Sequence, residues 1–489
     1  MTQDQERTFG AVKLALKGYS RDAAGWANHE NPRFLADVNG DGKADVVGFS
    51  CCGVHVAFSD GNVFKQFNND PAQHILENRF CPQAGWKTQN EHPRALGDVN
   101  GDGKADIVGF GENGVYLSLF KDNLFTEPQL VLKSFLAKDG WVSAASHPEW
   151  PGWANGANHP RFLADVNGDG KADIVGFDEG AVYVGFSKGD SFDVKKVLEA
   201  FCIKQTWTYQ NLRLLGDVNG DGKADIVGFA HDAVYVSLSK GDSFEMPKKM
   251  LEDFGPDQGW QQNENPRFLA DINGDGKADI VGFGDSAVYV AFSKGDSFEP
   301  KKEFSWEFIP LTNKESWYDS NTYPRLLGDI NGDGYDDVVG FGRLGMFFAH
   351  NKPVSETKGI YIAKAGQADR FIIKPETPIE SEVKKATNLE QCKNIIHNFN
   401  PLEGDTIDLS HYGKFTVDQV SFAAFTSAQT ATNQIPVSGV KINGEEDYVA
   451  CVYGFDADKF FAPDFDPPHM LNPHDVITLL QAQNFHGEL

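Results

Sequence analysis

Short apolar runs separated by glycine- and aspartate-rich turns recur along most of the chain. Six segments match almost residue for residue: "NPRFLADVNGDGKADVVGF" from Asn31, "HPRALGDVNGDGKADIVGF" from His92, "HPRFLADVNGDGKADIVGF" from His159, "NLRLLGDVNGDGKADIVGF" from Asn211, "NPRFLADINGDGKADIVGF" from Asn265 and "YPRLLGDINGDGYDDVVGF" from Tyr323. In each, a run such as "RFLADV" leads into a polar loop and a near-continuous apolar run, "ADIVGFG", follows it. "AVYVAFS" then alternates apolar with small or polar residues, the period of a strand. "KGDSF" reads as a turn, and a fourth strand such as "KKVLEAF" (residues 195–201) ends the unit. The first aspartates of the loops, Asp37, Asp98, Asp165, Asp217, Asp271 and Asp329, are 61, 67, 52, 54 and 58 residues apart. That period suits a four-stranded propeller blade better than a solenoid coil.

The ends of this region predict how it closes. The sixth repeat has a third strand, "GMFFAHN", and no evident fourth, while the chain start, "KLALKGYSRDAAGW" (residues 13–26), resembles the fourth strand and loop of the other units. The N-terminal strand is therefore expected to complete the last blade, which removes an open sheet edge. The fold expected is all-β: a six-bladed β-propeller over residues 1–352, followed by a smaller, mostly β domain over 353–489. The 67-residue interval carries an insertion, "DGWVSAASHPEWPGWANGANHP", expected to be a surface loop; a degenerate seventh blade is the alternative, although the insertion is short for four strands.

Composition narrows the function. A chain of 489 residues has room for two to four domains, and with 40% hydrophobic and 12% aromatic residues it can bury a core. Fifty glycines against five methionines favour turns and strands. The formal net charge of -26 argues against nucleic acid and anionic membranes as partners and favours cations. No apolar run reaches the roughly 18–20 residues of a membrane span, and "MTQDQERTFG" lacks the features of a conventional signal peptide. The six cysteines, Cys51, Cys52, Cys81, Cys202, Cys392 and Cys451, have no metal-ligand spacing. Cys51 and Cys52 are adjacent, a poor arrangement for a structural disulfide, and most of the six read as buried thiols.

The loops carry the clearest chemistry. In D-x-N-x-D-G-x-x-D, side-chain oxygens fall at positions 1, 3, 5 and 9, a backbone carbonyl can serve at position 7, and glycine at 6 permits the sharp turn. Hard oxygen ligation with three carboxylates suits Ca²⁺. The six candidate sites are Asp37, Asn39, Asp41, Lys43 and Asp45; Asp98, Asn100, Asp102, Lys104 and Asp106; Asp165, Asn167, Asp169, Lys171 and Asp173; Asp217, Asn219, Asp221, Lys223 and Asp225; Asp271, Asn273, Asp275, Lys277 and Asp279; and Asp329, Asn331, Asp333, Tyr335 and Asp337. Position 12 is glycine (Gly48 in the first unit) and strands flank the loop, so this is not an EF-hand. One copy could be a plain Asx turn; six copies argue for metal. Three carboxylates in six loops account for 18 of the 70 acidic residues, and six Ca²⁺ would take the net charge from -26 to -14. Calcium is expected to be structural, stabilising the native state by binding it preferentially.

These units resemble FG-GAP or VCBS repeats, the calcium-loop blades of integrin-α-type propellers. The fuller pattern, "GW…NPRFLADVNGDGKADIVGF…VYVAFSKGDSF", is similar to the Psathyrella velutina lectin-like propellers. That resemblance implies sugar pockets between neighbouring blades, in a family with seven blades where six repeats are counted here. Each repeat also places one Trp six to eight residues before one Arg: Trp26/Arg33, Trp86/Arg94, Trp153/Arg161, Trp207/Arg213, Trp260/Arg267 and Trp317/Arg325. A Trp could simply wedge neighbouring blades, with Arg bonding carbonyls across the gap. Alternatively the aromatic face meets a pyranose C–H patch and amide donors its hydroxyls. The candidate sugar contacts are Trp26, Asn28, His29, Trp86, Asn90, Trp153, Asn155, Trp207, Trp260, Asn263, Trp317 and Asn321, with Arg as support. Repeated weak sites on one ring would gain avidity of about 10²–10⁴ against clustered glycans.

Composition shifts at "NKPVSETKG" (residues 351–359), and all nine tryptophans lie before it. The remainder, with "QADRFIIKPE" and "IIHNFNPLEGDTIDLSHY", resembles the C-terminal domain of RTX- and serralysin-type secreted proteins, which implies type I secretion machinery as a partner and a secreted protein without an N-terminal signal peptide. Asp405 and Asp408 read either as calcium ligands or as turn caps. No H-E-x-x-H, G-x-S-x-G or Walker motif is present, so no enzyme is expected. The expected function is a secreted, multivalent, calcium-stabilised lectin for glycans or glycoproteins on cell surfaces. The alternatives are an integrin-like adhesion module binding protein, or the targeting part of a toxin.

Overall fold

The computed structural model describes residues 7–353 apart from 10–11, 17–18, 20–25, 27–30, 68–73, 90, 136–158, 209, 262–263, 286, 306–307, 309–316, 318–322 and 343–344. Beyond 353 it describes the backbone of short strands between Ile360 and Tyr453. One compact unit covers Arg7–Asn351, and the C-terminal strands belong to a second.

The first unit is a ring of six antiparallel sheets. Taking the third blade as the pattern, Arg161–Ala164, Asp173–Phe177, Val182–Ser187 and Phe192–Leu198 pair in sequence order. The sixth blade is built differently. Arg325–Gly328, Asp337–Phe341 and Met346–Ala349 are joined by Lys13–Leu16 from the chain start, which pairs antiparallel with Met346–Ala349. The closure expected from the sequence is present, and the described residues form six blades. The insertion at 136–158 lies outside the described residues.

Burial explains the strand patterns. The second strand of each blade, such as Asp279–Phe283, is buried along its whole length because blades flank it on both faces. It therefore reads as a continuous apolar run rather than an alternating one. The fourth strands face solvent and read as "KKML" or "KEFS" with exposed lysines. The cores lie between blades: Phe177 and Val184 of the third blade pack in one cluster with Ile226 and Phe244 of the fourth.

The fourth strand of the third blade differs from its expected span. It runs Phe192–Leu198 rather than 195–201, because Phe201 turns into the left-handed region at φ 54° and the chain leaves the sheet there. Within the second unit, strands Ile360–Ile362, Ile395–His397 and Ala450–Tyr453 pair in parallel, and Pro436–Ile442 and Val420–Thr426 extend that sheet antiparallel. Asp405 and the side chain of Asp408 lie outside the described residues.

Candidate functional site

Two sets of side chains recur among the described residues: the acidic loops between the first and second strands, and the arginine-aromatic clusters at the entry to each blade.

In the loops, two carboxylates organise the backbone. The position 1 carboxylate (Asp37, Asp98, Asp165, Asp217, Asp271 or Asp329) accepts the N–H of the glycine at position 4 at 2.7 Å. It also accepts that of the glycine at position 6 at 2.7–2.8 Å. Both glycines have φ between 71° and 83°, where a side chain is strained. The Asn at position 3 accepts the position 5 N–H at 2.8–3.0 Å.

The position 9 aspartate is wholly buried. One oxygen accepts the position 2 N–H at 3.1–3.3 Å. The other accepts, at 2.7–2.8 Å, an N–H at or just beyond the end of the third strand, such as Ser59 or Ser187. Burial pushes the carboxyls of Asp45, Asp106, Asp173 and Asp225 up to about 7 and Asp279 to about 8, with the neighbouring loop carboxylates adding to the effect.

The six loops form a closed chain around the ring. The position 8 N–H donates to the position 1 carbonyl of the preceding loop: Ala105 to Asp37, Ala172 to Asp98, Ala224 to Asp165, Ala278 to Asp217, Asp336 to Asp271 and Ala44 back to Asp329. The position 7 side chain lies on the preceding loop, where a Cβ at Gly40 would come within 3.2 Å of the Lys104 stem. Lys223 and Lys277 also turn their ammonium groups onto Asp221 and Asp275, at 3.0 and 3.1 Å. The sixth loop departs from the rest. Tyr335 replaces the lysine, and Arg7 places its guanidinium 3.3 Å from the centroid of that ring. His350 Nδ1 lies 3.0 Å from Asp337.

Among the described residues, no three His, Cys, Asp or Glu side chains gather as a preformed metal-binding group. The donors nevertheless fit Ca²⁺ in kind. They are all oxygen, three are carboxylates in one loop, and the buried position 9 carboxyl is one that a bound cation would return to its ionised form. Asp37, Asn39, Asp41, the Lys43 carbonyl and Asp45, and their counterparts, are the residues that would hold the ion.

The aromatic clusters have a common frame. The arginine at the start of the first strand of each repeat is buried and sends Nη1 to the carbonyl of an aromatic residue in the left-handed region. The bonds are Arg33 to Tyr19, Arg94 to Phe80, Arg161 to Phe135, Arg213 to Phe201, Arg267 to Phe254 and Arg325 to Phe308, at 2.7–3.2 Å. Each guanidinium also lies 4.9–5.6 Å from the centroid of a phenylalanine in the preceding blade. The carbonyl bonding expected of the arginines is present.

The described tryptophans pack at a tilt or edge-on against these same aromatics, with ring centroids 4.6–5.0 Å apart, and against a glycine of the second strand. A Cβ at Gly109 would come 2.4 Å from Trp86 and 2.5 Å from Phe80, and Gly48, Gly228, Gly282 and Gly340 meet Trp26, Trp207, Trp260 and Trp317 in the same way. Trp26, Trp260 and Trp317 are buried, whereas Trp86 and Trp207 are half-buried. In the fifth blade, Trp260 Nε1 donates to Asp253 at 3.2 Å, and Lys301 pairs with Asp253 at 2.8 Å while lying 5.3 Å from the Trp260 ring. The candidate contacts Asn28, His29, Asn90, Trp153, Asn155, Asn263 and Asn321 lie outside the described residues. The left-handed aromatics were not foreseen. Their signal in the sequence is a phenylalanine six residues before the tryptophan in three repeats: Phe80/Trp86, Phe201/Trp207 and Phe254/Trp260.

Residues 165–228 and 271–340 match the FG-GAP-like repeat family. Among solved structures, the chain is similar to an Agrocybe aegerita lectin that recognises non-reducing terminal N-acetylglucosamine. The two share 33% identity over 71% of this chain and 90% of the lectin, with a TM-score of 0.54. It is also similar to the Photorhabdus luminescens Tc holotoxin pore, at 17% identity over 71% of this chain and 14% of that one, with a TM-score of 0.44. A third similarity is to the V. cholerae biofilm matrix protein Bap1, at 15% identity over 62% and 40%, with a TM-score of 0.24. A comparison with curated protein sequences finds no match.

Proposed function

Because the chain belongs to the same family as the Agrocybe aegerita lectin and carries FG-GAP-like repeats, we propose that it is a multivalent carbohydrate-binding protein whose sites take terminal N-acetylglucosamine. The observation that carries this reading is 33% identity sustained over 90% of that lectin. The repeated aromatic cluster supports it. Among the described residues Trp86 and Trp207 are half-buried, and a partly exposed indole can meet the C–H patch of a pyranose. A shallow site of this kind binds weakly by itself, and a ring of them gains by engaging several glycan ends together. No catalytic activity is part of this proposal.

Calcium belongs to the same reading, as the ion that offsets two of the three carboxylate charges of each loop and stabilises the ring. In this role Asp45 and its equivalents orient the loop through their two backbone bonds, and the ion supplies the charge that offsets the buried carboxylates.

The test is a glycan array followed by isothermal titration with N-acetylglucosamine, in calcium and in EDTA. Binding to glycans ending in N-acetylglucosamine is expected, with more than one sugar per chain. Silence across a diverse array refutes the lectin reading, and an EDTA-insensitive melting temperature refutes the calcium role.

A further inference from the structure

The hairpin between the second and third strands of the first blade carries a feature that the other blades lack. Its turn is Ser50-Cys51-Cys52-Gly53, where the corresponding central pairs elsewhere are Glu112-Asn113, Glu179-Gly180 and His231-Asp232. The turn needs no cysteine: the bond that closes it, Ser50 N–H to the Gly53 carbonyl at 2.8 Å, recurs from Asp178 to Ala181 and from Ala230 to Ala233. Packing does not call for the pair either, since Cys51 is exposed and Cys52 half-buried.

The backbone of the pair is pinned. The Cys52 N–H donates to Ser50 Oγ at 3.3 Å, and its carbonyl accepts the Asn78 N–H at 2.8 Å. The two Sγ atoms stand 2.9 Å apart as free thiols joined by a hydrogen bond. A disulfide needs about 2.05 Å, so the sulfurs must approach by under about 1 Å. The trans peptide between them holds their Cα atoms at about 3.8 Å, closer than the usual range of about 4.4–6.8 Å, so the closed bond is strained and readily reduced. Each thiol has its partner permanently at hand, and that favours an internal bond over one between molecules.

We propose that Cys51 and Cys52 form a reversible redox-modification site, a vicinal dithiol that peroxides close to a disulfide. One sulfur attacks the peroxide O–O bond and becomes a sulfenic acid, releasing water. The second sulfur displaces the hydroxyl, which leaves as a second water. In total two thiols and one hydrogen peroxide give one disulfide and two waters, the thiols being oxidised and the peroxide reduced. The site has a structural outlet. Gln83 Nε2 donates to Cys52 Sγ at 3.4 Å, and Gln83 lies in the turn Pro82–Ala84 that leads through Gly85 to Trp86. The proposal does not depend on the lectin reading.

The experiment treats the full-length reduced protein with hydrogen peroxide, alkylates the remaining thiols and maps them by mass spectrometry. The tryptic peptide spanning residues 44–65 holds both cysteines. It is expected to lose two hydrogens and resist alkylation until dithiothreitol restores both sites. Full alkylation of that peptide after peroxide, a sulfinic acid, or a covalent dimer through Cys51 would overturn the proposal. The wild-type map needs no variant. Cys52→Ser, checked for native circular dichroism, is expected to abolish the two-hydrogen loss, and its persistence in that variant would also overturn the proposal.

Discussion

Substituting Gly109 by alanine tests the frame on which every aromatic cluster rests. The added Cβ would meet Trp86 Cη2 at 2.4 Å, Phe80 Cε1 at 2.5 Å and Trp86 Cζ3 at 2.7 Å. Carbon atoms rest at about 3.5–4.0 Å, so the rings must retreat by more than about 1 Å. Neither can do so freely. Phe80 is buried, its carbonyl accepts the Arg94 guanidinium, and Trp86 is held edge-on by Tyr116 at 6.0 Å and His92 at 5.9 Å. Overpacking of a filled core costs about 1–3 kcal/mol, and two confined rings place this case near 3. Guanidinium denaturation followed by circular dichroism reads the loss. Gly103→Ala provides the contrast: φ is 81° and no atom lies within 4 Å of the new Cβ, so only backbone strain of about 1–2 kcal/mol is expected. Trp86→Phe should relieve part of the Gly109→Ala penalty, giving a coupling of at least about 1 kcal/mol in a double-mutant cycle. A Gly109→Ala cost below about 0.5 kcal/mol, or full additivity with Trp86→Phe, refutes the packing argument.

Other outcomes follow from the same geometry. Arg267→Lys keeps the charge but loses the planar fork that reaches the Phe254 carbonyl at 2.8 Å and lies 5.6 Å from the Phe229 centroid, so a loss of about 2 kcal/mol is expected in thermal melts. In EDTA, the carboxyls held at about 7–8 in the fold bind protons more tightly than in the unfolded chain. Their contribution is full below pH 4 and is lost as pH rises through 7–8, so the melting temperature should fall between pH 5 and 8.5. Calcium should flatten that decline, and its apparent affinity should rise with pH; a flat profile in EDTA contradicts the assignment. Lys301→Ala removes the ammonium beside Asp253 and Trp260, and should cost about 1 kcal/mol with a change in tryptophan emission.

The repeats made the blades legible because a second strand enclosed on both faces must be apolar throughout, as "DIVGF" is from Asp173 to Phe177. Closure was legible because the sixth repeat visibly lacked a strand that the chain start could provide. The loops were legible as acidic turns, but their internal accounting was not. That Asp45 would use both oxygens on the backbone of Val38 and Ser59 depends on where the third strand ends, and spacing in sequence does not report that. The contact of Lys104 with Gly40 and the bond from Ala105 to Asp37 likewise join different repeats, where a one-dimensional pattern sees only each copy against itself. The left-handed phenylalanines went unread for a different reason. A bulky residue at positive φ is rare, so propensity argues against it, and only the buried arginine bonded to its carbonyl explains why it is held there.

Strand Lys13–Leu16 is made before every other strand of the six blades and finds its sheet only after them, because its partner Met346–Ala349 belongs to the last blade. Throughout synthesis of the intervening blades it must stay uncommitted without recruiting a neighbouring nascent chain. Its sequence, KLAL, is short and begins with an exposed lysine, which suits a segment that has to wait. Interrupted translation anywhere before Met346 would leave a partial ring with two raw ends, so completeness of the propeller is checked by whether the circle can shut.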